Sequence, residues 1–151
     1  HFWDMFIVDA LNGNFDRHGG NWGFLKKENK YKLAPVYDNG SCMYPRLNTD
    51  EQLLSVMESE QEIKKRIYQF PTSQIKFHNR KSSYYDIINS IQFESCNQAL
   101  VRMIERVDLN KINHMIEEIE GITEIRKEFY KTMYQRRFEG ILLASYKKLR
   151  G

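Results

Sequence analysis

The chain has 151 residues, 41% hydrophobic, 28% charged and 13% aromatic, with a net charge of +3 at pH 7. That length and apolar share suit one domain with a real core, and no apolar run approaches the roughly 18 residues a membrane-spanning helix needs. Cys42 and Cys96 lie far apart with no C-x-x-C between them, which argues against a disulfide scaffold or a structural zinc site and makes reduced, cytoplasmic thiols the expectation.

The chain opens His1-Phe2-Trp3-Asp4 on an apolar helical stretch, with neither an initiator Met nor a basic leader, and reads as part of a longer protein. Phe2, Phe6, Ile7, Ala10 and Leu11 recur at helical spacing and predict a buried helix over 2–11, stopped by Asn12-Gly13-Asn14. Trp22 to Lys26 and Tyr31 to Val36 predict two short strands joined by the polar turn Lys27-Glu28-Asn29-Lys30. Pro35 cannot donate to a ladder and puts that end of the second strand at an edge or at its exit. Thr49 with Gln52, Ser59 with Glu62 and Ser95 with Gln98 then have capping-box spacing. Ser83 and Asp108 are further helix starts, and Gly121 suits a C′ position. Ile125, Phe129, Met133, Phe138, Ile141, Leu142 and Leu149 mark the stripe of one long last helix. All three prolines precede residue 72, so turns crowd the front and helices fill the back. The expected fold class is mainly α (α+β): a helix, one short β-hairpin, then five or six helices. Lys and Glu interleave along those helices as on a solvated face, so nucleic acid is not an expected partner.

The chemically unusual residues lie between positions 9 and 41. Asp16, His18 and Asn21 form a D-x-H-x-x-N cluster in a Gly-rich loop before the hairpin, and Asp38 follows its second strand. Phosphoryl transfer uses such a set. One carboxylate orients the attacking hydroxyl, while a second carboxylate and an amide oxygen hold the metal that bridges the phosphates. A hairpin brings the loop before its first strand beside the loop after its second, so Asp16, Asn21 and Asp38 are expected to face one cleft. Taken alone, the cluster is equally what turns collect, because Asp, Asn and Gly tolerate left-handed backbone. Its specificity comes from the order of apolar helix, D-x-H-x-x-N, hairpin, D-N-G and helical remainder.

That order resembles the catalytic core of the HipA-like serine/threonine kinases, which are related to the phosphoinositide-kinase-like and protein kinases. Asp16-Arg17-His18-Gly19-Gly20-Asn21 is similar to the D-R-H-x-x-N loop of the phosphoinositide-kinase-like pattern. Leu33-Ala34-Pro35-Val36-Tyr37-Asp38 resembles the HipA-like strand leading into the metal-binding Asp, and Asp38-Asn39-Gly40 takes the place of D-F-G. The resemblance implies a kinase C-lobe over 1–151, with the catalytic helix, loop and hairpin in 1–45 and a helical subdomain in 46–151. It implies Asp16 as catalytic aspartate, Asn21 and Asp38 as metal and nucleotide-side ligands, and ATP and Mg²⁺ as cofactors. His18 is either catalytic, as in phosphoinositide-type kinases, or a packed residue that orients the loop. Arg17 is expected either to be exposed or to brace the loop rather than to contact phosphate, and Asp9 and Asn12 to form either a helix-end polar pair or part of a loop network. The implied partners are a protein substrate with a Ser or Thr hydroxyl, an N-lobe segment and an antitoxin-like regulator. No stretch before residue 13 can form an N-lobe sheet, so the chain by itself is expected to be inactive, with apolar surface uncovered near Phe2, Trp3 and Phe6. Two alternatives stay open: a small-molecule phosphotransferase, whose loop typically writes H-G-D-x-x-x-x-N in the opposite His–Asp order, and a catalytically silent helical module.

Overall fold

The computed structural model describes residues 2–151. Helix α1 (Phe2–Asn12) buries Met5, Phe6, Ile7, Asp9, Ala10 and Leu11. It stops where predicted, through a Schellman closure: Gly13 takes φ +63° and the Asn14 N–H donates to the Asp9 carbonyl at 3.1 Å. Strands β1 (Phe24–Lys27) and β2 (Lys30–Leu33) pair antiparallel, Leu25 opposite Lys32. Their turn is tighter than the predicted four residues. Only Glu28 and Asn29 form it, both with positive φ, the geometry whose twist matches the flanking strands. The strand also starts at Phe24 rather than Trp22, whose ring instead packs 5.1 Å from that of Phe2. Pro35 lies just beyond the last paired residue, Leu33, at the strand's exit.

Helices α2 (Asp50–Met57) and α3 (Glu60–Tyr68) begin at their predicted caps, Thr49 with a complete capping box and Ser59 through the Glu62 N–H. A second antiparallel hairpin then follows, β3 (Thr72–Phe77) and β4 (Arg80–Ser83), beside the one expected. Its alternation is carried by Ile75 and Phe77 alone in a polar stretch, too little to read as a strand. The mainly helical architecture is as expected, with two small hairpins. Helix α4 (Tyr84–Ser90) starts at a Ser83–Asp86 capping box.

Helix α5 (Glu94–Ile104) corrects one predicted cap. It begins after Phe93 without a side-chain cap, Ser95 falls inside its first turn, and Gln98 donates to Glu94 instead. Phe93 is pinned by ring contacts to Trp3 and Phe77, so tertiary packing sets the start. Helix α6 (Leu109–Glu117) is capped by Asp108, as predicted, but ends before Gly121, whose φ of +80° turns the chain toward the next helix. Helix α7 (Glu124–Arg137), a π-helical segment (Phe138–Leu143) and α8 (Ala144–Arg150) form the predicted last helix with one widened turn. Gly140 sits there because α3 is too close for a side chain: a Cβ would lie 2.8 Å from Ile67 Cγ2.

Phe6, Ile7, Leu53, Tyr84, Leu100, Phe129, Met133 and Leu142 belong to one buried cluster, joining α1 to the helices that follow the hairpins. The uncovered apolar surface is not at Phe2, Trp3 and Phe6, whose rings meet Trp22, Phe93 and Tyr84. Exposed apolar side chains lie instead at Phe24, Tyr31, Met115 and Ile119 and at Val8, Leu25 and Val36, the last three bordering an open groove of about 710 Å³ between α1, the first hairpin and α5. No helix among the described residues is long and apolar enough to cross a membrane.

Candidate active site

The two loops that flank the first hairpin run side by side. Backbone bonds link them at Phe15 N–H to Ser41 O, Met43 N–H to Asn12 O and Ala34 N–H to Gly23 O, and the Tyr37 hydroxyl donates to Gly20 O. Between these rungs lies Arg17, which the structure buries. Its Nε and Nη2 donate to the two carboxylate oxygens of Asp9 at 2.8 and 3.0 Å. Nη1 donates to Asn21 O at 2.7 Å and to Tyr37 O at 2.5 Å, and Nη2 also reaches Asn39 Oδ1 at 2.7 Å. One planar guanidinium thus holds the end of α1, the last residue of the D-R-H-G-G-N loop and both neighbours of Asp38. The Asp9 carboxylate beside it keeps that guanidinium's pKa above its usual range.

Asp9 also accepts from Asn14 Nδ2 at 3.0 Å, and Asn14 Oδ1 in turn accepts from the Asp16 N–H at 3.0 Å. The Tyr84 hydroxyl, from the start of α4, donates to Asn14 O at 2.8 Å. Asp9 therefore joins a loop network rather than a simple helix-end pair. Asn12 faces elsewhere: its Oδ1 accepts from the Tyr134 hydroxyl of α7 at 3.1 Å. Sequence reasoning missed the reach of Arg17 and the part played by Asn14 and Tyr84. A signal for the first was present, since Asp9 falls on the buried stripe of α1, where a carboxylate needs a cation or several donors.

The predicted site residues stand on this frame. Asp16 is half-exposed, and His18 Nε2 lies 3.9 Å from its Oδ2. His18 Nδ1 accepts from the Gly20 N–H at 3.0 Å, so the ring proton sits on Nε2, the nitrogen facing Asp16. Asn21 is buried and its Nδ2 donates to Asp16 O at 2.7 Å. A carbonyl can only accept, so the amide nitrogen is the end committed to the loop. Asp38 is exposed with φ +56°, a left-handed turn that Asp tolerates, between two residues gripped by Arg17. Cys42, beyond that turn, is no nucleophile at neutral pH: burial pushes its thiol up to about 11.

An amide oxygen and an exposed carboxylate are hard ligands of the kind Mg²⁺ takes. Among the described residues no group of three or more His, Cys, Asp or Glu could hold a metal ion, so an ion held by Asn21 and Asp38 would need its other ligands from phosphate and water.

Residues 1–124 match the HipA-like C-terminal domain family. The chain is 44% identical over 144 residues to the serine/threonine-protein kinase CtkA of Helicobacter pylori, covering 93% of this chain and 44% of that protein. The crystal structure of a Helicobacter pylori proinflammatory kinase CtkA superposes with a TM-score of 0.89 at 42% identity, over 97% of this chain and 52% of the other. The chain spans about half the length of the relatives it matches.

Proposed function

The chain belongs to the HipA-like C-terminal domain family, and on that basis we propose that it is the catalytic lobe of an ATP-dependent serine/threonine protein kinase. The observation that carries this reading is the tie between the two loops: a D-R-H-G-G-N loop and a D-N-G turn joined through Arg17. Asp16 accepts or orients the proton of the attacking hydroxyl. His18 donates from Nε2 to charge developing beside Asp16. Asn21 and Asp38 hold Mg²⁺, which when bound neutralises the charge of the ATP phosphates. In a protein of the relatives' length, the remaining half grips the nucleotide and covers the groove at Val8, Leu25 and Val36.

The test uses the natural gene product that carries this chain. Asp38→Asn is nearly isosteric and should keep the fold while lowering phosphate transfer at least ~10²-fold, with weakened Mg²⁺-dependent ATP binding. Asp16→Asn should lower kcat as steeply while leaving nucleotide affinity nearly unchanged, because Asp16 serves the acceptor. Retention of the parent rate by both variants would remove these residues from the chemistry. A parent that transfers phosphate to no Ser or Thr, its own included, would favour the silent module.

A further inference from the structure

We infer that Arg17, oriented by Asp9, is a positioning residue that sets the spacing between the loop bearing Asp16 and Asn21 and the turn bearing Asp38. The inference rests on the kinase reading for its catalytic consequence, but its structural content stands separately. The two loops leave the open end of a hairpin whose strands are short and exposed, so strand pairing alone is a weak ruler. Arg17 supplies a stiff one. Its Nη1 is shared by Asn21 O and Tyr37 O, and its Nη2 by Asp9 Oδ1 and Asn39 Oδ1. A movement of either loop breaks a charge-assisted bond on a buried, planar group that cannot follow both partners. Asp9 is the counter-charge that makes burial of the guanidinium tolerable and fixes its plane through two bonds. Asp9 is itself anchored on the closed C-terminal turn of α1 and by Asn14, which Tyr84 ties to α4. The ruler is therefore referenced to the core and not to the exposed strands.

Two substitutions separate positioning from mere stabilisation. Arg17→Lys keeps the buried charge and an ion pair with Asp9, but an ammonium cannot span Asn21 O, Tyr37 O and Asn39 Oδ1 together. Asn39→Ala removes one surface contact and leaves the Asp9–Arg17 pair intact. Both are made in the natural gene product and read by amide hydrogen exchange and by the Mg²⁺ concentration giving half-maximal phosphate transfer. The Cys42 N–H, which donates to Asn39 O, and the Asn21 N–H, which donates to His18 O, report on the two loops. In Arg17→Lys both should exchange at least ~10-fold faster while amides of α4 and α5 keep the parent's protection, the mark of local rather than global opening. Asn39→Ala should accelerate Cys42 alone. The Mg²⁺ requirement should rise several-fold in each variant with a smaller change in the KM for the acceptor protein. Unchanged exchange at Cys42 and Asn21 in Arg17→Lys overturns the inference, whatever the activity. Acceleration spread equally over α4 and α5 also overturns it, since that is a purely structural role. Loop-confined acceleration in a protein that transfers no phosphate supports the clamp and counts against the kinase reading.

Discussion

Arg137 is fully buried in α7 with no carboxylate bonded to it among the described residues, yet its surroundings account for it. Its Nε donates to Ala10 O at 2.7 Å, and Nη1 donates to the Tyr44 hydroxyl and to Arg66 O. Ala10 lies in the last turn of α1 and Arg66 in that of α3. Two helix C-termini, each with roughly half a negative charge, thus converge on one cation and together stand in for a counter-ion. Arg137 in turn gives these helix-end carbonyls a donor. Arg137→Met removes that donor and leaves Ala10 O buried without it, whereas Arg66 O keeps the Tyr44 hydroxyl at 2.9 Å. Against this stands relief from burying a charge whose Nη2 has no partner among the described residues. The helix-end attraction should dominate, with a loss of about 2–3 kcal/mol in urea-induced unfolding. A neutral or stabilised variant would mean that desolvation outweighs the two dipoles. Asp9 and Arg137 teach the same lesson. A charge on a buried stripe announces that a partner exists, but the partner is a distant group that spacing cannot name.

The helices differ in what starts them. At α4, Ser83 accepts from the Asp86 N–H and the Asp86 side chain accepts from the Ser83 N–H, a reciprocal cap written in four consecutive residues. At α5 the same kind of spelling, Ser95 to Gln98, closes no cap, because Phe93 between Trp3 and Phe77 sets the helix start earlier. Ser83→Ala should therefore cost about 1 kcal/mol, and Ser95→Ala should change stability by no more than about 0.5 kcal/mol. Thermal or urea unfolding of the two variants side by side decides it, and equal losses would contradict this account. The widened turn at Phe138–Leu143 belongs to the same class of effect. A regular stripe predicts a regular helix, and close approach of α3 at Gly140 accompanies the π turn that replaces it.

For the molecule as a whole, buried weak acids make stability fall in alkali. Burial raises the thiols of Cys42 and Cys96 to about 11 and about 12, and raises the hydroxyls of Tyr44, Tyr84 and Tyr134 above their usual range. The unfolded chain loses its thiol protons near 9 and its tyrosine protons near 10. Between those values and the raised ones the unfolded state binds fewer protons than the native state, so unfolding becomes more favourable as pH rises. The midpoint of thermal unfolding should be level between about pH 6 and pH 8 and drop progressively from about pH 9 upward. A midpoint still level at about pH 10.5 would show that these groups are not held protonated by the fold.

Elements whose cause is local were legible in the sequence alone. The Asn12-Gly13-Asn14 stop, the caps at Thr49, Ser59, Ser83 and Asp108, and the D-R-H-G-G-N and D-N-G motifs are each written within a few adjacent residues. Capping, left-handed turns and motif spacing act over that range. Tertiary structure settled what depends on bodies meeting: the polar second hairpin, the start of α5 at Phe93, the π turn against α3, and the uncovered face at Val8 rather than Phe2. It also settled the reach of Arg17. The sequence left that side chain either exposed or bracing its own loop; its burial and its grip on Tyr37 and Asn39 exist only because the hairpin folds a segment about 20 residues away against it.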